Sequence, residues 1–228
     1  MTRPSRPLRL GVLVSGKGSN LRAILEAIRR KQLPASVAVV ISDRPEAQAL
    51  AVARRYRCET LTMDPKKSIT REQFDHAVAK ALQQREVGLV VLAGYLRIVT
   101  PALIEPFRDR IMNIHPSLLP SFPGLKAPWQ ALERGVKVAG CTVHFVSEEV
   151  DSGPIIVQAA IPVRPGEREP SLVKRIQLEE HRIYPRAIEL FARGRLRVVG
   201  RTVRVAGGGM PKNAAVISPP LAGRGAMR

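Results

Sequence analysis

Short, unbroken apolar runs alternate along this chain with stretches whose apolar residues recur at helical spacing. Leu8 to Ser15 (LRLGVLVS) is continuous and apolar, the pattern of a strand covered on both faces. After the loop Gly16-Lys17-Gly18-Ser19, the residues Leu21, Ile24, Leu25 and Ile28 fall at i, i+3, i+4 and i+7. That is a helical stripe, with Ser19 or Asn20 as the expected N-cap. Val37 to Ile41 (VAVVI) predicts the next strand, and Glu46 to Tyr56 a helix with Pro45 suited to its first turn. Glu59 to Met63 reads as a short strand. Thr70-Arg71-Glu72-Gln73 has the form of a capping box opening a helix that buries Phe74, Val78, Ala81 and Leu82. Val87 to Leu92 (VGLVVL) predicts another buried strand, Thr100-Pro101 a short helix, and Arg110 to Ile114 (RIMNI) a further strand.

This rhythm argues for an α/β fold built on a doubly wound, mostly parallel sheet, Rossmann-like in class. Ligands of such sheets bind at the carboxyl ends of the strands, which directs attention to residues 15–20, 94–99 and 113–124. Beyond these the pattern changes. Gly140 to Val146 (GCTVHFV) and Ile155 to Ala160 (IIVQAA) predict strands joined by a Gly- and acid-containing loop. Ser171 to Arg193 predicts a long helix that Pro185 should kink or divide. Arg195 to Val199 and Thr202 to Val205 predict a terminal hairpin around Gly200-Arg201. From Ala206 onward Gly, Pro and Ala dominate and periodicity vanishes. The expectation is one domain over residues 1–205, then a tail over 206–228 without packed structure.

Composition changes this picture little. The chain has 228 residues, enough for one domain to bury roughly 70% or more of its unfolded surface. The two cysteines, Cys58 and Cys141, have neither a CxxC partner nor a His/Cys cluster, so no metal site and no redox motif is expected. They read as free thiols in a reducing, cytoplasmic compartment. No apolar run reaches the roughly 18 residues of a membrane span, and Met1 to Arg9 lacks the pattern of a signal peptide. The unusual bulk property is a net charge of +18. Aromatics are only 4% and no nucleic-acid-binding motif accompanies the charge, so a solvated basic surface is the expected reading.

Three places can carry chemistry. In residues 15–20 (SGKGSN), glycines let the backbone approach an anion, while free N–H groups and the helix dipole favour a phosphate. It is neither a Walker A loop nor a GxGxxG fingerprint. Asn113 and His115 stand two apart, so on a strand both point to one face. An amide beside an imidazole is equipment for acyl transfer: one stabilises an oxyanion, the other moves a proton. The alternative is a turn cap beside a satisfied histidine. Asp151, ahead of Ser152-Gly153-Pro154, is either a turn former or a carboxylate that raises the pKa of a neighbouring His115. His144, His181 and His76 show no partner and read as packing or surface residues. Ser117 lacks a GxSxG elbow, so a serine hydrolase is not indicated.

Together, SGKGSN at 15–20, AGYLRI at 93–98, NIHPSLLPSFPG at 113–124, HFVSEEVDSGPII at 144–156 and QLEEHRIYP at 177–185 resemble the phosphoribosylglycinamide formyltransferases. The likeness runs from Leu8 to Val205 in matching order. It implies the Rossmann-like formyltransferase fold and transfer of formyl from 10-formyltetrahydrofolate, a co-substrate, to the amine of glycinamide ribonucleotide in purine biosynthesis. In that resemblance Asn113 holds the formyl oxygen, His115 is the general acid and Asp151 raises its pKa. Gly18, Ser19 and Asn20 form the phosphate and ribose loop, Arg71 is a second phosphate ligand, and Glu180 contacts the amine-bearing substrate. Leu96, Arg97, Ile98 and Val99 receive the pterin through backbone groups, with Asn113 and the loop Ser147, Glu148, Glu149, Val150 and Asp151 assisting. The implied partners are these small molecules, with neither membrane nor nucleic acid, and the implied assembly is a monomer or homodimer. Formyltetrahydrofolate hydrolase and methionyl-tRNA formyltransferase share the central motif and stand as alternatives. A basic nucleic-acid-binding α/β module stands as one of another class. The high charge and the Gly/Pro tail depart from the family pattern without touching its motifs.

Overall fold

The parallel half of the molecule consists of β1 (Leu8–Val14), β2 (Ala35–Ser42), β3 (Thr60–Thr62), β4 (Leu89–Leu92) and β5 (Ile111–His115). The computed structural model describes residues 7–67 and 70–206. The predicted tail, apart from Ala206, lies outside them. These five strands are ordered β3-β2-β1-β4-β5 and all pair parallel. Two long strands, β6 (Val138–Phe145) and β7 (Ile155–Pro162), continue the sheet antiparallel beyond β5. The hairpin of β8 (Leu196–Val199) and β9 (Thr202–Val205) closes that edge, β9 running parallel to β7. The sheet is therefore mixed, and mostly parallel as the alternation of elements predicts.

Alternation along β1 shows why both faces are covered. Leu10, Val12 and Val14 pack with Leu21 and Ile24 of α1 (Ser19–Arg29) and with Ile183 and Ala187 of α6 (Glu169–Ala192). Leu13 points the other way, into a cluster with Phe74, Val78 and Leu82 of α3 (Arg71–Gln83). Each such burial contributes about 1.5–3 kcal/mol, so a strand apolar on both faces is held from two sides. The capping box forms: the Gln73 N–H donates to Thr70 Oγ1 at 3.2 Å, and the Thr70 N–H donates to Gln73 Oε1 at 3.2 Å. No helix among the described residues is long and apolar enough to cross a membrane.

Two local expectations are corrected, and one element is added. The N-cap of α1 is Gly18, at φ 77°, rather than Ser19 or Asn20. A Cβ on Gly18 would come within 2.7 Å of the Ala49 Cα, on α2 (Gln48–Arg55), so the turn admits only glycine. The long helix α6 is not divided at Pro185 but continues through it. That proline removes one donor, but Leu172, Ile176, Ile183, Tyr184, Ala187 and Ile188 keep the same face buried on both sides of it. The short helix α5 (Ala127–Glu133) follows α4 (Pro101–Ile104) and β5 without having been predicted, being too brief to show a period.

The chain winds outward through β1, β2 and β3, then returns to lay β4 on the opposite flank of β1. Strand order thus reverses between β1 and β4, and the loops leaving these strands diverge there to open a crevice. Tyr184, fully buried on α6, sets its hydroxyl 3.1 Å from the Leu92 carbonyl and 2.8 Å from that of Met112. It ties the helix to the last residue of β4 and to the second residue of β5.

Candidate active site

At the crevice lies a cleft of about 560 Å³. The β1–α1 loop forms one end. The first N–H groups of α1 meet no capping side chain, so the positive end of the helix faces outward unneutralised. Ser19 Oγ accepts from Gln177 Nε2 at 2.9 Å, and Asn20 Nδ2 donates to Glu180 Oε2 at 2.9 Å. Asn20 is buried, yet its Oδ1 has no partner: an acceptor left for a ligand. Burial pushes the Glu180 carboxyl above its ordinary range, with the Asn20 bond drawing it partly back.

At the centre, β5 and β6 bring polar groups together. Asn113 pairs across the antiparallel ladder with His144. The His144 Nδ1–H donates to the Phe145 carbonyl at 2.9 Å, which leaves Nε2 as an acceptor for Asn113 Nδ2 at 3.2 Å. The second Asn113 hydrogen faces Asp151 Oδ1 at a looser 3.5 Å, the contact most easily exchanged for a ligand oxygen. His115, two residues on, points to the same side and sets Nδ1 3.2 Å from Asp151 Oδ2. Its Nε2 lies 2.8 Å from the Phe122 carbonyl. Asp151 also accepts from the Gly124 N–H at 2.8 Å and sits at φ 53°, a left-handed conformation that Asp tolerates better than most residues. Gly153 completes the turn, where a Cβ would strike the Phe145 carbonyl at 1.8 Å.

Electrostatics bear on the expected role of Asp151. Burial holds the His115 imidazole below its ordinary value, outweighing the Phe122 carbonyl and the Asp151 charge, which both raise it. Asp151 pulls in the expected direction, but the net sign is reversed. The Asp151 carboxyl is lowered: burial would raise it, yet the His144 ring beside it, the Gly124 N–H and the His115 ring together outweigh burial and hold it ionised. A neutral imidazole with an ionised partner is thus the resting state near pH 7.

The far end of the cleft is apolar and open. Leu96 is 59% and Ile98 56% exposed, facing Val150 across the mouth. Arg97 and Val99, and Ser147, Glu148, Glu149 and Asp151, line the same cleft, as do Gly18, Ser19, Asn20, Asn113, His115 and Glu180. Arg97 lays its guanidinium 4.6 Å from the centre of the Phe74 ring. Of the site residues read from the sequence, Arg71 alone is not brought to the cleft; it is exposed at the first turn of α3. His144, Gln177 and the Gly124 and Phe122 backbone belong to the site and were missed. For His144 the signal was available: in an antiparallel pair of β5 and β6 it stands directly across from Asn113.

An amide, an imidazole and a carboxylate at the carboxyl edge of a mixed α/β sheet, beside a free helix N-terminus, define a group-transfer enzyme of the α/β class. The chain belongs to the formyl transferase family, whose sequence model matches residues 8–188. It is 41% identical over 191 residues to the phosphoribosylglycinamide formyltransferase of Escherichia coli (strain K12), covering 84% of this chain and 90% of that one. To the trifunctional purine biosynthetic protein adenosine-3 of Homo sapiens it is 42% identical over 190 residues. That match takes in 83% of this chain but spans only 19% of the longer protein. The crystal structure of glycinamide ribonucleotide transformylase 1 from Symbiobacterium toebii shares 56% identity, with a TM-score of 0.87 over 88% of this chain and 95% of that one.

Proposed function

We propose that this chain moves the formyl group of 10-formyltetrahydrofolate onto the primary amine of glycinamide ribonucleotide, a step of purine biosynthesis. The observation that carries it is the 3.2 Å contact of His115 with Asp151, beside Asn113, midway between an anion-ready helix end and an apolar mouth. The free N–H groups at Gly18, Ser19 and Asn20 suit a phosphate. Asn20 Oδ1 and Glu180 suit the hydroxyl and amine donors of the nucleotide. Leu96 to Val99 and Ser147 to Val150 suit a flat pterin, whose edges would meet backbone groups.

The amine lone pair attacks the formyl carbon, and the carbonyl electrons pass to oxygen, where Asn113 Nδ2–H replaces its loose contact with Asp151. His115, neutral at rest, takes the proton shed by the attacking nitrogen; the resulting imidazolium is held by Asp151. The same proton then passes to the folate nitrogen as its bond to carbon breaks, giving formylglycinamide ribonucleotide and tetrahydrofolate. We place the reaction in the cytoplasm, where the free thiols Cys58 and Cys141 stay reduced.

The test incubates the protein with 10-formyltetrahydrofolate, with and without glycinamide ribonucleotide. Tetrahydrofolate appearing only with the nucleotide is the expected result. Equal release without it would make the chain a hydrolase and overturn the proposal.

A further inference from the structure

The loops that form the two ends of the cleft leave neighbouring strands, and one buried side chain joins them. The β1–β4 ladder runs on past the strand ends: the Ala93 N–H donates to the Leu13 carbonyl at 2.9 Å, and the Ser15 N–H to the Gly94 carbonyl at 3.0 Å. At Gly94, φ 73°, the second loop turns away and the backbone ladder can reach no further. There the Ser15 hydroxyl takes over, its Oγ accepting the Leu96 N–H at 3.0 Å. Ser15 is 3% exposed and stands behind the cleft wall rather than in it.

The other side of Ser15 is stiff. Gly16 accepts the Ala49 N–H at 3.0 Å, and Gly18 rests on Ala49 with no room for a Cβ. Ser19 and Asn20 are held by Gln177 and Glu180 of α6. A displacement of this loop therefore passes to Ser15 instead of dissipating within it. The mouth loop has a second anchor of its own: buried Asp75 on α3 accepts the Thr100 N–H at 2.6 Å. Among the described residues, no hydrogen bond links that anchor to the β1–α1 side.

We propose that Ser15 is a positioning residue that couples the two halves of the cleft, so that nucleotide bound on residues 16–20 sets the Leu96–Val99 loop for the folate. The inference rests on the substrate assignment above. Coupling between sites is reciprocal, so folate must raise nucleotide affinity by the same factor.

The experiment titrates a 10-deaza folate, which cannot transfer a carbon, by calorimetry with and without saturating glycinamide ribonucleotide. Wild-type protein should show a coupling factor of roughly fivefold or more. Ser15→Ala should bring it close to one and weaken folate binding by roughly fivefold to tenfold, the worth of one hydrogen bond to a half-buried N–H. Ser15→Thr, which keeps the hydroxyl, should restore coupling. Asp75→Ala should weaken folate binding with coupling retained. If Ser15→Ala does not fold, Ser15→Cys, a poorer acceptor, should give an intermediate factor. Wild-type coupling in Ser15→Ala or Ser15→Cys, or no coupling in an active wild-type enzyme, would overturn the proposal. Wild-type protein without formyl transfer would instead bring down the substrate assignment.

Discussion

The two ends of the cleft are built on opposite plans. At the β1–α1 end the polar groups are buried or half-buried and held in place: Ser19 by Gln177, Asn20 by Glu180 with its Oδ1 left open, and Gly18 wedged against α2. At the other end, Leu96 and Ile98 stand more than half exposed around an open mouth. A small charged substrate loses strong hydration when it binds, and only preset partners compensate for that. A flat, largely apolar ring needs only surface to cover, and can meet side chains that settle as it arrives. Placing the proton-handling groups between the two ends makes their geometry dependent on both.

Four substitutions and one titration break or sharpen this contrast. The largest effect belongs to the centre: Asn113→Ala and Asp151→Asn should each lower kcat by roughly 10²–10³-fold while thermal unfolding stays near that of the parent. Asn tolerates the left-handed backbone at 151, so a collapsed fold there would contradict the assignment. At the preset end, Glu180→Ala strands a buried Asn20 amide. It should raise KM for the nucleotide by roughly 10- to 100-fold, with KM for the folate changed far less. A matching rise in both would erase the division of labour. At the open end, Ile98→Ala should raise only the folate KM, by roughly fivefold, the worth of about 1 kcal/mol of apolar contact.

The smallest effect is a shift in pH dependence. Because burial lowers the His115 pKa from its ordinary 6.5, the imidazole stays neutral, and kcat/KM holds, as pH falls through that value. The loss comes only lower, when the folded-state pKa is crossed. Asp151→Asn removes a charge that raises His115, so NMR titration of its ring should then report a still lower pKa. An acid limb above 6.5 in the parent enzyme would contradict this. The same sign governs stability: below about 6.5 the unfolded chain binds a proton that folded His115 refuses, so this group disfavours folding as the solution is acidified.

What the sequence discloses follows from range of interaction. Asn113 and His115 are legible because two residues along a strand fix a common face, and the capping box at Thr70 because its partners are three residues apart. Asp151 is visible only as a turn residue until the loop is folded over Gly124. His144 shows no partner in sequence, being 31 residues from Asn113 and joined to it only by strand register. Gly18 as the N-cap depends on Ala49, an approach that no local preference encodes. The net direction of the His115 pKa is likewise a property of enclosure. The carboxylate's pull could be foreseen, while the stronger effect of exclusion from water needs the whole wall around the ring.

The Phe122 carbonyl over His115 Nε2 gives the resting protein a chemical shield. With one ring nitrogen against that oxygen, the other against Asp151 and the ring itself buried, the neutral imidazole has no open side from which a stray electrophile can reach its lone pair. Acylating reagents that modify histidines should spare it until an incoming ligand dislodges the carbonyl. The group most able to react is thus kept inert between turnovers, and occupancy of the cleft is what exposes it.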